Sequence, residues 1–268
     1  MTALLVLALL DYLLAATAVV RWVSAGEDDA RRSRFRIAAI AFGAMGVACH
    51  AAIHAFAWKV SGGLDIHFFA ALSLVTLGMA ALTATIAWRQ QLQTLGVIVY
   101  PLAAVMLAMY FYDRGAAEKL GWQLQLHVWL ALPAYVILSV AALLALLLWF
   151  QDRALRRREL NGWLRSGPPL VQLETLLFRV IGVGFALLTL ALVTGVLFVD
   201  DLLAQHLWHK TVLSILSWLV FGWLLLGRWR YGWRGPRAVK FTLSAMTLLM
   251  LAFFGSQFVL EFLLHRAP

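Results

Sequence analysis

The chain has one cysteine, Cys49, and it lies inside an apolar run. A lone cysteine excludes an intrachain disulfide, a CxxC redox pair and a CxxCH haem-attachment motif within the chain. Proline is scarce as well: there are six, two of them adjacent at 168–169, so long helices can run with few breaks. Charged residues make up only 13%, about half of their usual share in soluble domains. No P-loop, dinucleotide fingerprint, HExxH pair or nucleophile motif occurs. The ordinary enzyme classes therefore have no residues to carry them.

What is present is apolar. Hydrophobic residues form 63% of the 268 residues, and the mean hydropathy is +0.85. This composition indicates an all-α, polytopic membrane bundle, because a spanning helix needs about 20 mostly apolar residues. Eight runs qualify: 2–23, 37–57, 67–87, 94–112, 123–150, 174–198, 208–227 and 239–264. The first lacks a basic leader and a small-residue cleavage site, so it reads as a permanent helix rather than a signal peptide. A single integral-membrane domain over 1–268 is expected, with one longer basic loop at 151–173.

The net charge of +9 and the pI near 10.3 invite a nucleic-acid reading. The distribution of the charge argues against it. Arg21, Arg31, Arg32, Arg34 and Arg36 follow the first run, Arg89 the third, Arg153, Arg156, Arg157, Arg158 and Arg165 the fifth, and Arg228, Arg230, Arg234, Arg237 and Lys240 the seventh. The alternate loops and the C-terminal end hold only Lys59, Arg114, Lys119, Lys210 and Arg266. The positive-inside rule places the arginine-rich loops in the cytoplasm and both termini outward. The partners expected on these grounds include the lipid bilayer and exclude nucleic acid. The 151–173 segment is expected to extend the fifth span until Gly167-Pro168-Pro169 stops it.

With this topology all seven histidines fall toward the outer side: His50, His54, His67, His127, His206, His209 and His265. Imidazole is a metal and haem ligand and titrates nearest neutrality. His127, in GWQLQLHVWLALPAY, is either an interfacial hydrogen-bonding group or a ligand. His206 and His209, spaced i and i+3, share a face if the seventh helix already includes both. His50 and His54, spaced i and i+4, share a face of the second span, with His50 about 10 Å below the outer boundary. An ionisable group at that depth faces the bundle interior or a wet cavity. His67 and His265 stand at helix ends. Zinc calls for a closer ligand cluster than the sequence offers. Haem needs only one or two axial ligands in an apolar aromatic pocket, which suits histidines arriving on separate helices.

Three further ionisable groups sit within or near span ends. Asp11 lies midway along the first span and is expected to face the protein. Arg179, inside the sixth, can snorkel to the cytoplasmic interface beside Glu174. Glu261 precedes His265 by one turn and can pair with it.

LHVWLALPAY at 126–135, LLFRVIGVGFALLTLALVTGVLF at 176–198, HLWHKTVLSILSWLVF at 206–221, and GWRGPRAVKFTL followed by FFGSQFVLE resemble the integral-membrane cytochrome c assembly family. The resemblance is nearest to its YpjD/HemX-like branch, which the stretch from His50 through GLDIHFFAALSLVTLG also resembles. It implies a bacterial inner-membrane protein of cytochrome c biogenesis or haem trafficking, with haem held near the outer face by two histidines. His127 matches the first of these in its LHV…AY context, and His265 falls near the second. The family's WGxxWxWD core is absent. Lys210 and Trp218 fit the end of that segment, while His206, Trp208 and His209 occupy its place. Leu226 stands where the family has a further histidine.

With this resemblance beside the placement of the histidines, the leading expectation is non-covalent haem b with His127 and His209 as axial ligands to the iron. His206 is the alternate ligand or the group behind it, His50 a further contact, and Trp129 and Trp208 the walls of the site. Apocytochrome c or other assembly proteins become expected partners. Two alternatives stay open: a non-enzymatic scaffold or regulator of haem synthesis, and a small-ion or solute transporter using Asp11, His50 and His54.

Overall fold

A computed structural model describes residues 1–25, 31–63, 65, 67–86, 93–113, 119–157, 169–198 and 208–255. Every described element is helical. The order is α1 (Thr2–Ser24), α2 (Arg32–Ser61), α3 (Phe68–Ile86), α4 (Gly96–Tyr112), α5 (Trp122–Arg157), α6 (Leu170–Phe198), α7 (Trp208–Tyr231) and α8 (Pro236–Met250). A 3-10 turn, Gln93–Leu95, leads into α4, and a π-helical turn, Leu251–Gly255, continues α8. All eight expected spans are present, each long and apolar enough to cross a bilayer.

The ends differ from expectation where local chemistry moves them. α5 continues into the basic segment as far as Arg157, while Gly167 and Pro168 of the expected stop lie outside the described residues. α6 begins at Leu170, earlier than expected, because Pro169 offers its carbonyl to the amides of Gln172 and Leu173. α8 begins at Pro236 rather than 239, since proline suits a first helical position and Gly235 precedes it with φ 56°. Pro101 and Pro133 lie inside α4 and α5.

The helices form two compact units, α1–α4 and α5–α8. In the first, α1 packs on α2 and α4, and α3 packs on α4 and α2. Small side chains permit the approach: Ala8, Ala15, Ala16 and Val19 on α1, Gly43 and Gly46 on α2, all buried. Lipid provides no hydrophobic drive between helices, so such close van der Waals contact is a main source of association. Where the basic loop begins and ends, the Arg21 guanidinium lies 5.9 Å from the Phe35 ring centroid and that of Arg32 5.7 Å from Trp22.

In the second unit α5 packs along α6 and α8, and α7 along α6 and α8. The buried positions Ala134, Leu138, Ala141, Ala145 and Leu148 recur at three- and four-residue intervals, as one helix face requires. Polar side chains add specific ties. Ser217 donates to the Ala245 carbonyl (2.8 Å), Tyr135 to the Leu249 carbonyl (2.8 Å), and the Trp218 indole to Thr189 (2.9 Å).

Candidate functional site

His127 stands one turn inside α5, half-buried against α6. Its Nδ1 donates to the Ala191 carbonyl at 2.9 Å, and Thr194 Oγ1 lies 3.4 Å from the same nitrogen. That bond fixes the proton on Nδ1 and leaves the lone pair on Nε2, which has no hydrogen-bond partner among the described residues. A ring held in this way is set to bind a metal through Nε2, because the bond at one nitrogen determines which is free to ligate. Gly195 makes the approach possible: a β-carbon there would sit 3.2 Å from His127 Cε1. The Trp122 and Phe198 rings, 5.6 Å apart, join the same ends of α5 and α6.

His209 lies in the first turn of α7, half-buried, with the half-exposed Trp208 ring edge-on at 6.0 Å. Lys210, next along, places Nζ 5.8 Å from the Phe253 ring. Trp129 is half-exposed on α5. No contact joins His127 to His209 among the described residues. His206, His265 and Glu261 lie outside the described residues. Trp218, the one tryptophan at the end of the expected aromatic segment, stacks on Phe185 at 5.5 Å.

His50 and His54 belong to the first unit. His50 is fully buried, with Nδ1 3.1 Å from the Tyr12 hydroxyl and Nε2 2.8 Å from Ser73 Oγ. Protein groups thus take up both of its nitrogens. His54 Nε2 lies 2.9 Å from the same Ser73 hydroxyl, and its ring stacks on Tyr110 at 4.5 Å. His67 is held between the Asp65 carboxylate at Nδ1 and the Asp113 carbonyl, to which Nε2 donates at 2.6 Å. Asp11 faces the protein, 5% exposed. No group of three or more His, Cys, Asp or Glu residues suited to a metal ion occurs among the described residues.

At the arginine-rich end of the second unit, Glu174 accepts a hydrogen bond from the Gly235 amide. It thereby caps α8 from α6, and among the described residues no ion pair joins it to Arg179. Arg228 donates to the Trp233 carbonyl at 3.1 Å and lies 4.7 Å over the Phe178 ring. The GWRG loop, 232–235, is thus braced by α6 and α7. A cleft of about 320 Å³ beside it is lined by Trp149, Arg156, Glu174 and Arg234. Its α5 wall, Leu148 to Arg156, begins roughly 30 Å along that helix from His127 at 1.5 Å per residue. Nothing in the local pattern of Glu174 had marked it as a cap, because its partner is 61 positions away.

The pattern of the cytochrome C assembly protein family matches residues 38–264. The chain belongs to this family. The Inner membrane protein YpjD of Escherichia coli K12 is 34% identical over 194 residues, covering 70% of this chain and 72% of that protein. An uncharacterized 28.8 kDa protein of Azospirillum brasilense is 34% identical over 200 residues, 73% of each chain. Cytochrome c biogenesis protein CcsA of Prochlorococcus marinus (strain MIT 9515) is 34% identical over 92 residues, covering 33% of this chain and 29% of that one. No solved structure matches. With eight spanning helices and this relationship to YpjD, the family member is an inner-membrane protein.

Proposed function

We propose that the protein serves cytochrome c biogenesis by holding non-covalent haem b near the outer face of the membrane, with His127 as one axial ligand. Family membership and the similarity to CcsA support the biogenesis role. The observation that carries the ligand assignment is the His127–Ala191 hydrogen bond, which leaves Nε2 free to ligate. His209 would be the second ligand in this reading, and Trp129 and Trp208 would help to wall the group. His206 is its alternate, or a partner that orients it. Haem held by these residues would supply an iron centre able to exchange ligands. The chain's own part is to fix the imidazole tautomer and to present apolar walls. Apocytochrome c and other assembly proteins are the partners this role implies.

A scaffold or regulatory role is the second reading, favoured by the absence of the WGxxWxWD core. The purified protein, titrated with haem, distinguishes the two. The first reading expects a Soret band that is lost or strongly weakened in His127→Ala and in the His127→Ala/His209→Ala pair. A band identical in parent and double variant, or no band at any haem concentration, overturns it.

A further inference from the structure

We propose that α1, α2 and α3 carry a proton relay, in which Tyr12, His50, Ser73 and His54 pass a proton between the buried middle of the first unit and its histidine-bearing end. The number of hydrogens available at Ser73 constrains the whole network. Ser73 Oγ lies within hydrogen-bond distance of two imidazole nitrogens, His50 Nε2 at 2.8 Å and His54 Nε2 at 2.9 Å. A serine hydroxyl has one proton, so it can donate to only one of them and must accept from the other. The two histidines are therefore obliged to take opposite roles at Nε2. The Tyr12 hydroxyl, 3.1 Å from His50 Nδ1, carries the same constraint to α1.

Two complete arrangements satisfy it. In one, Tyr12 donates to His50 Nδ1, His50 Nε2 donates to Ser73, and Ser73 donates to His54 Nε2. In the other every bond is reversed: His54 Nε2 donates to Ser73, Ser73 to His50 Nε2, and His50 Nδ1 to Tyr12 Oη. The first becomes the second when each proton moves one place outward. One proton then leaves His54 Nδ1 for each proton the Tyr12 oxygen accepts. No bond between heavy atoms changes and no redox partner is needed.

The ends of the chain suit this role. Tyr12, His50 and Ser73 are each fully buried, whereas His54 is only half-buried and its Nδ1 has no hydrogen-bond partner among the described residues. His54 also interacts electrostatically with Asp65 and His67, close to the outer end of α2. Tyr110 stacks between the two rings, 4.5 Å from His54 and 6.0 Å from His67. At the inner end Tyr12 stacks on Tyr100 at 5.9 Å. Asp11, one residue earlier, has a buried Oδ2 without a hydrogen-bond partner among the described residues, and it interacts electrostatically with Cys49. A carboxyl able to hold a proton therefore stands at the depth where the relay ends. The glycines of α2 keep the path straight: a β-carbon at Gly46 would sit 2.9 Å from the Tyr12 ring, and one at Gly43 2.5 Å from Tyr100 Oη. A purely structural network needs one arrangement; this geometry offers two through a single shared hydroxyl.

Nitrogen-15 NMR of the histidine-labelled protein in lipid vesicles reads the tautomers directly. His50 and His54 are expected to show both tautomers in exchange in the parent. In Ser73→Ala each should settle into one tautomer, favoured by about tenfold, the ratio that one lost hydrogen bond supports. Ser73→Thr, which keeps the hydroxyl, should restore exchange. A single fixed tautomer at each histidine in the parent, or exchange that persists unchanged in Ser73→Ala, overturns the relay. Should Ser73→Ala fail to fold, Tyr12→Phe takes its place. It removes the inner hydroxyl and is expected to leave His50 in one tautomer, and continued exchange there is equally fatal to the proposal.

Discussion

A side chain as small as the hydrogen of Gly195 decides how His127 can be used. The absence of a side chain there lets the ring rest closely on α6, and the contact delivers Nδ1 to the Ala191 carbonyl. Gly195→Val is therefore expected to push the ring off its acceptor and release the tautomer. If His127 ligates haem as proposed, loss of this one hydrogen bond to the imidazole should weaken haem affinity by about tenfold, without removing the imidazole itself. A haem titration with unchanged affinity in this variant contradicts the positioning role. His127 itself was legible from its sequence context. Its acceptor was not, because a backbone carbonyl on another helix leaves no mark in the local pattern. The same holds for His50 and His54. Their i, i+4 spacing announced a shared face, but Tyr12 and Ser73, which give that face its chemistry, lie 38 and 23 positions from His50.

At the scale of elements, apolar length and loop composition were enough to find all eight helices, since the bilayer sets a minimum span that chance rarely satisfies. Their ends were harder to read. α8 begins where Gly235 takes a left-handed φ and Glu174 satisfies its amide. An unsatisfied amide at a helix start costs about 1–3 kcal/mol when water cannot replace the partner. Glu174→Ala should lower stability by an amount of this order and speed hydrogen exchange at the Gly235 amide. Glu174→Gln, which keeps an acceptor oxygen but not the charge, should fall between variant and parent. Thermal unfolding in detergent, combined with exchange at Gly235, checks both. An unperturbed Gly235 amide in the alanine variant removes Glu174 from the capping role.

For the whole molecule, the placement of arginines assigns the cytoplasmic side. The lone cysteine makes the assignment easy to test, because Cys49 is buried and adds little labelling background. Cysteines introduced at exposed Gly121 and Tyr231 lie at opposite ends of the second unit's helices, by the start of α5 and the end of α7. In intact cells a membrane-impermeant maleimide should modify Gly121→Cys and spare Tyr231→Cys until the membrane is opened. The reverse pattern would invert the topology and move every histidine to the cytoplasmic side.

The clamp between Glu174 and Gly235 also has a consequence in time. The acid is synthesised 61 residues before the amide it receives. At ordinary rates of translation that gap lasts about 3–12 s. Throughout it Glu174 must wait at the edge of the bilayer with only water or headgroups for company, while α7 is made and threaded across. The bond can close only after α7 has turned back and Gly235 has emerged on the same side. It therefore serves as a record that α7 crossed in the right direction, since a chain that failed to reverse there would bring Gly235 out on the wrong side and leave Glu174 unpaired.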